Sequence, residues 1–449
     1  MERSIQTPDQ AAAWLEGLIN VEKLPDRATA RLSLAPIRAL LERVGNPERS
    51  RRPVHLAGSK GKGSTALLAE ALLRSAGRRV GTFVQPHLER WTERFRIDGS
   101  EVSGARLAAV VERLREPVEA LRQGPPETAP SWFDVTTAAA LLLFEESELD
   151  AVVLEVGLGG RLDSTNVVSP CATAITSIEL EHTEILGETL EAITFEKAGI
   201  VKAGVPVVTG VLPAAAREVV HARATELGAP LVELGVDLGL EVEDLGLDGS
   251  RIRVRDGALV LELDLPVPGR HQAENAAVAL ACVRRAGLLG DGELEQSAAA
   301  AFESVRLPGR IEILARDPLA IVDSCHTDAS ARALAEVIGR TPRARTHLVL
   351  SISSDKNLSA VARALAPLCE SVTATRAEPT RSLAPEEMAP VVRRLAPGCE
   401  VHTVADPELA LRSVCDEAAP DDLVVVAGSV YLAGIARRVL GAGGSVGGR

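Results

Sequence analysis

Aromatic side chains are scarce: 2% of 449 residues, with a single tyrosine, Tyr431. Few rings are available to stack nucleic-acid bases, and the cores have to be built from Leu, Val, Ile and Ala. An excess of positive charge is also missing. The formal net charge is -13, which argues against a nucleic-acid or anionic-membrane partner as the main business of the chain. No C-x-x-C pair occurs among the six cysteines, Cys171, Cys282, Cys325, Cys369, Cys399 and Cys415. They read as reduced, mostly buried thiols of a cytoplasmic protein. No apolar run reaches membrane-spanning length. Met1 is followed by charged and polar residues rather than an apolar stretch, which predicts no signal peptide. What remains is a globular balance of 46% hydrophobic and 25% charged residues. The chain is long enough for two or three domains.

An acidic protein that binds an anion has to gather its cations locally, and one stretch does so. Val54-His55-Leu56-Ala57 leads into Gly58-Ser59-Lys60-Gly61-Lys62-Gly63-Ser64-Thr65, followed by the helix-forming Ala66 to Leu73. This reads as strand, glycine-rich turn and helix. The glycines let backbone N–H groups converge on a phosphate, and the helix N-terminus adds positive potential. Lys62 can reach a β- or γ-phosphate, and Ser64 or Thr65 can ligate magnesium. The generic phosphate loop wants glycine where Leu56 stands and a hydroxyl where Gly63 stands. The bland alternative is a strand-to-helix turn with incidental lysines.

Along the chain, residues 8–45 read as two helices. A strand at Arg79 to Val84 ends at Gln85-Pro86-His87, and the charged segment Leu88 to Gly99 reads as a loop, over the site or merely solvated. Helices are expected near 104–121 and 134–144. The apolar run Ala151 to Val156 carries Glu155 near its carboxyl end, and His182 follows the next strand, near 174–178. Ligands of open α/β sheets bind at such strand ends. That favours metal ligation for Glu155, whereas His182 alone would read as an ordinary polar histidine. A helix is expected from Leu190 to Ala198 and a strand from Val205 to Thr209. Asp248-Gly249 and Asp256-Gly257 mark hairpins, which predicts a small β-meander over 236–265. Helices follow at 273–286 and 293–302. Beyond Pro308-Gly309, strands near 320–322, 347–350, 372–374 and 423–426 alternate with helical stretches, implying a second parallel sheet.

Several longer stretches together resemble the folylpolyglutamate synthase/dihydrofolate synthase family of Mur ligase-like, ATP-dependent amide ligases. They are Gly58 to Thr65, Pro86-His87-Leu88 with Glu93-Arg94, and Leu154 to Asn166 (L-E-V-G-L-G-G-R-L-D-S-T-N). They continue with Glu181 to Gly187, Glu196-Lys197-Ala198-Gly199-Ile200, Pro268 to Gln272 with Asn275-Ala276-Ala277, Pro308-Gly309-Arg310, Asp355-Lys356, and Gly428 to Leu432. The resemblance implies an α/β fold: an N-terminal P-loop parallel-sheet ATPase domain with a small β-meander, plus a C-terminal Rossmann-like α/β domain. Domains are expected at 1–306 (ATP-binding) and 307–440 (ligase), with a disordered tail at 441–449. It implies a ligase that adds L-glutamate to dihydropteroate and/or (tetrahydro)folate through an acyl phosphate. Its partners would be ATP, glutamate and a pterin or folate, with no nucleic acid and no membrane, in a cytoplasmic monomer.

The resemblance also assigns roles. Lys62, Lys197 and His326 are the expected catalytic residues, with Lys197 matching a lysine that is carbamylated in the family. Nucleotide contacts are expected from Gly58, Ser59, Lys60, Gly61, Lys62, Gly63, Ser64, Thr65, Gln272, Asn275, Arg310 and Asp323. Mg2+ would be held by Ser64, Gln85, Glu155 and His182, and substrate by Phe133 and Asp163. The chain departs from the family pattern at Gln85 (usually Ser), Lys60 (usually Asn), Glu181 (usually Asp) and in Asp323-Ser324-Cys325-His326-Thr327-Asp328, which lacks the usual asparagine and proline. Ser131-Trp132-Phe133-Asp134 is close to the family's pterin-side stretch. These departures keep two alternatives open: a paralogous amide ligase for a different carboxylate or amino acid, and a nucleotide-binding protein without ligase activity.

Overall fold

The computed structural model describes residues 5–19 and 32–441. The expected tail therefore lies outside the described residues, apart from Gly441, as does the join between the first two helices. Those helices are Pro8–Glu16 and Ala35–Arg43.

Eight strands make the first sheet: β1 (Val54–Ala57), β2 (Val80–Phe83), β3 (Phe95–Ile97), β4 (Ser100–Glu101), β5 (Ala151–Glu155), β6 (Ala172–Ile175), β7 (Val207–Thr209) and β8 (Leu231–Glu233). Their order is β4-β3-β2-β5-β1-β6-β7-β8. All neighbours are parallel except at β3 and β4. β1, β2, β5, β6 and β7 are buried along their whole length, as strands covered by helices on both faces must be. One face packs on the helices Lys62–Ser75, Arg270–Arg285 and Asp291–Ser304. The other packs on Gly104–Arg122, Trp132–Glu145 and the two N-terminal helices. The meander forms as expected: β9 (Leu238–Asp244), β10 (Ser250–Asp256) and β11 (Leu259–Leu265) pair antiparallel, and β10 and β11 alternate buried with exposed residues.

Between Ser304 and Glu312 the chain passes to a second sheet. Its strands are β12 (Glu312–Arg316), β13 (Leu319–Val322), β14 (Thr346–Leu350), β15 (Ser371–Ala374), β16 (Glu400–Thr403) and β17 (Leu423–Ala427), in the order β12-β13-β17-β14-β15-β16. Only β12 is antiparallel to its neighbour. Apolar clusters cover both faces.

The structure corrects the reading of Leu88 to Gly99. Trp91–Arg94 form a 3-10 turn, and β3 and β4 form a hairpin on β2. Its turn is Asp98-Gly99, both with positive φ (52° and 78°), a hairpin signal the charge-rich context masked. The helix expected from Asp134 starts at Trp132. Ser131 accepts from the Asp134 N–H, and the Asp134 carboxylate accepts from the Ser131 N–H, which makes a reciprocal cap. All six cysteines are free thiols, three of them buried. No helix among the described residues is long and apolar enough to cross a membrane.

Candidate active site

β1 is the middle of the first sheet, and its register puts Leu56 beside Glu155 of β5 and Ala57 beside Ile175 of β6. Three strand ends therefore open at one level. Gly58 leaves β1 with φ 146°, and a Cβ there would lie 2.0 Å from Thr176 Oγ1. Only glycine lets the two loops approach so closely. Lys60 locks the approach: its N–H donates to Ser177 Oγ (2.8 Å), and its carbonyl accepts from the hydroxyls of Thr176 and Ser177. Gly61 (φ 84°) turns the chain into the helix that starts at Lys62. The first-turn N–H groups have no carbonyl inside the helix to bond, so they face the cleft as an anion cradle. The Lys62 ammonium folds back onto the Gly58 carbonyl at 2.9 Å.

The cleft, about 500 Å³, is walled by both sheets. From the first come Ser59 to Ser64, Gln85, Glu155, Glu181, His182, Lys197, Gln272 and Asn275; from the second come Arg310, Asp323, His326, Lys356, Arg381 and Tyr431. Most of the expected residues therefore meet. Gly58, Thr65, Phe133 and Asp163 are not among the residues that line it. The Asp163 carboxylate is taken up by its own loop, accepting from the N–H groups of Gly157, Leu158 and Thr165. Phe133 stacks beside Phe83 (6.4 Å) and packs where a Cβ on Gly157 would go. Thr65 is fully buried, with its hydroxyl on Asn275. Of the two candidate hydroxyls, Ser64 is the one in the cleft.

Two further expectations need qualifying. Asp323 lines the cleft, but its carboxylate accepts from the Ile311 and Cys325 N–H groups (2.9 and 2.8 Å). It shapes the turn that carries His326. Gln85 contributes its backbone N–H to Glu155 Oε2 at 2.6 Å, while its side-chain oxygen accepts from Arg94. Arg94 also bonds His87, so the Gln85 side chain is oriented by arginine. Asn275 sits against Gly61 and donates to Gln272.

Charge divides the cleft into two neighbourhoods. Burial pushes the Glu155 carboxyl up to about 7, against the pull of Lys62, the Gln85 N–H, Arg310 and Arg94. Glu181 is buried too, which pushes it up, but Lys197, Lys60 and Lys62 together hold it far below the usual carboxylate range. Its two oxygens take Lys197 (3.0 Å) and Lys60 (3.1 Å). Burial brings Lys197 down to about 8 despite Glu181. Burial, then Lys60 and Lys356, bring His326 down to about 3; its Nδ1–H donates to the Ser324 carbonyl at 3.0 Å, leaving Nε2 as acceptor. Burial likewise brings His182 to about 3.

Among the described residues no three His, Cys, Asp or Glu side chains converge as a cation cage. The donors that fit a divalent cation are a hydroxyl, a carboxylate and a neutral imidazole. Ser64 is 4% exposed and makes no side-chain hydrogen bond among the described residues. Glu155 is 3% exposed without an ion pair, and His182 is neutral. Such a set suits Mg2+ or Mn2+, which complete their shell with phosphate oxygens and water.

Glu181, Glu179, Lys356, Arg381 and Tyr431 were not among the expected site residues. Glu179 and Glu181 follow β6 directly, the position where open sheets place ligand groups.

A model of the Mur ligase middle domain matches residues 56–283, and one of the Mur ligase glutamate ligase domain matches 309–430. A probable bifunctional folylpolyglutamate synthase/dihydropteroate synthase of Halobacterium salinarum is 35% identical over 89% of this chain, and the chain spans about half (48%) of that relative's length. A dihydrofolate synthase/folylpolyglutamate synthase of Mycobacterium tuberculosis is 32% identical over 97% of this chain and 96% of its own. A crystal structure of a bifunctional folylpolyglutamate synthase/dihydrofolate synthase with Mn, AMPPNP and L-glutamate bound superposes with TM-score 0.82 at 30% identity, covering 97% of this chain and 98% of that one.

Proposed function

Because the chain belongs to the folylpolyglutamate synthase/dihydrofolate synthase family of Mur-type ligases, we propose that it joins L-glutamate to dihydropteroate, to (tetrahydro)folates, or to both, at the expense of ATP. The observation that carries the reading is the one cleft in which a phosphate loop with Lys62, the buried carboxylate Glu155 and the C-terminal His326 face one another. In the first step an acceptor carboxylate oxygen bonds the γ-phosphorus of ATP and ADP leaves, giving an acyl phosphate. The loop N–H groups and Lys62 hold the phosphates in line, and positioning with charge neutralisation is most of what such a transfer needs. A divalent cation held by Ser64, Glu155 and His182 supplies further charge neutralisation. In the second step the amine of glutamate bonds the acyl carbon, the nitrogen loses a proton, and inorganic phosphate leaves carrying it. A neutral His326 at this end of the cleft adds no positive charge against the incoming amine. The C-terminal wall and the loop wall together keep water from the acyl phosphate. Both walls come from one chain, which supports action as a monomer.

Lys197 deepens the reading. Its ammonium gives up one proton, and the free amine adds CO2 to give a carbamate with release of a second, which turns a cation into an anion. Burial to about 8 supports this, because far more of it is the free amine at neutral pH than for an ordinary lysine. A carbamate signal after equilibration with 13C-bicarbonate is expected by NMR in the wild type and not in Lys197→Met.

The test of the function is the product. Incubation with ATP, Mg2+, L-glutamate and either dihydropteroate or tetrahydrofolate should yield an acceptor longer by one glutamyl unit, seen by mass spectrometry. Neither acceptor being glutamylated, with no stimulated ADP release, would overturn it. Glutamylation or ADP release confined to another carboxylate would move the assignment to a paralogous ligase.

A further inference from the structure

Lys60 was expected to touch nucleotide, yet its side chain points along the other wall. Its backbone is pinned to Thr176 and Ser177. From there the ammonium reaches Glu181 Oε2 (3.1 Å) and His326 Nε2 (3.4 Å). The second contact joins the phosphate loop to the second sheet. Because Nδ1 of His326 donates to the Ser324 carbonyl, Nε2 has to accept, and an ammonium is the matching donor. Directly after His326, the Thr327 hydroxyl caps the helix Asp328–Arg340. Lys60 is one of the positions at which this chain departs from the family pattern.

We propose that Lys60 is a latch that docks the His326 turn onto the phosphate loop, acting as a positioning residue for His326 and Glu181 rather than as a phosphate ligand. Lys62, on the Gly58 carbonyl, remains the phosphate cation. The latch sets where the amine-side wall stands when ATP is bound, so its loss should slow turnover without weakening the nucleotide.

The rate arm of the test rests on the ligase reading; the other arms do not. Full-length Lys60→Met and Lys60→Arg are compared with wild type. Lys60 is 27% exposed at its side chain, so its replacement leaves the cores intact. Without ligands, hydrogen exchange over residues 324–327 should speed up about tenfold in Lys60→Met and return toward wild type in Lys60→Arg. The Kd for AMPPNP should stay within about twofold in both. In turnover, kcat should fall about 10–100-fold in Lys60→Met, the scale of a mispositioned group, with KM for ATP unchanged and partial rescue by arginine. A tenfold weaker AMPPNP affinity in Lys60→Met with unchanged exchange would make Lys60 a phosphate ligand and overturn the latch. Unchanged exchange with unchanged affinity would overturn it as well. If no acceptor is ever glutamylated, the exchange and affinity arms still decide.

Discussion

Two carboxylates stand in one cleft, both less than a tenth exposed, and they behave oppositely. Glu155 makes no ion pair among the described residues, and burial lifts it to about 7. Glu181 grips Lys60 and Lys197 and is held far down. Burial is common to both, so neighbours decide. Desolvation raises a carboxyl unless cations stand within direct reach to repay it. The difference separates their roles: a divalent cation at Glu155 would offset its desolvation, whereas Glu181 already neutralises Lys60 and Lys197.

Breaking the phosphate side should have the largest effect. Lys62→Met should lower the ATP-dependent rate about 10³-fold, the scale for removing a preorganised charge from a transferring group, measured as acceptor-dependent ADP release. Next comes Glu181→Gln, which leaves Lys60 and Lys197 without their ion-pair partner. It should destabilise the ligand-free fold by about 3 kcal/mol, at the lower end for breaking a buried pair because Lys60 is partly exposed; urea unfolding at neutral pH checks it. A subtler contrast separates the two hydroxyls. Ser64→Ala should raise the Mg2+ concentration needed for half-maximal rate about tenfold, and Thr65→Ser should not.

The finest test is the pH dependence of stability in EDTA. The folded value of Glu155, about 7, lies above its ordinary 4.5. Its contribution is fully present below 4.5 and is lost as pH rises toward 7, so Glu155→Gln should become progressively more stable than wild type across that window. Glu181 lies below its ordinary value. Its contribution is present above 4.5 and is lost as pH falls, so Glu181→Gln should approach wild type only in acid. Parallel curves for the two variants would erase the comparison.

Much of this was legible in the sequence because local patterns and tertiary structure agreed. The strand–glycine–helix at Val54 to Leu73 and the Asp-Gly turns of the meander formed where their chemistry put them. The hairpin at Asp98-Gly99 was hidden by flanking charges that pair with one another, such as Arg90 with Glu101. β16 was hidden because it is a largely exposed strand with little apolar pattern. In the site, residue type suggested contact where geometry shows scaffolding. Asp163 stands in the loop after β5 and Asp323 directly after β13, but backbone N–H groups occupy their carboxylates. Ser131 and Asp134 are a helix cap. Spacing cannot show whether a carboxylate faces a ligand or its own loop. Nor could it show that Glu181 would bridge Lys60 and Lys197, since that contact joins loops more than a hundred residues apart.

The acyl-phosphate route itself is tested most directly by isotope transfer. An acceptor with its reacting carboxylate labelled with 18O is turned over with ATP, Mg2+ and L-glutamate, and the released inorganic phosphate is analysed. Activation of the carboxylate at the Lys62–Glu155 end of the cleft predicts one 18O atom in each phosphate formed. Amide product accompanied by unlabelled phosphate would contradict it.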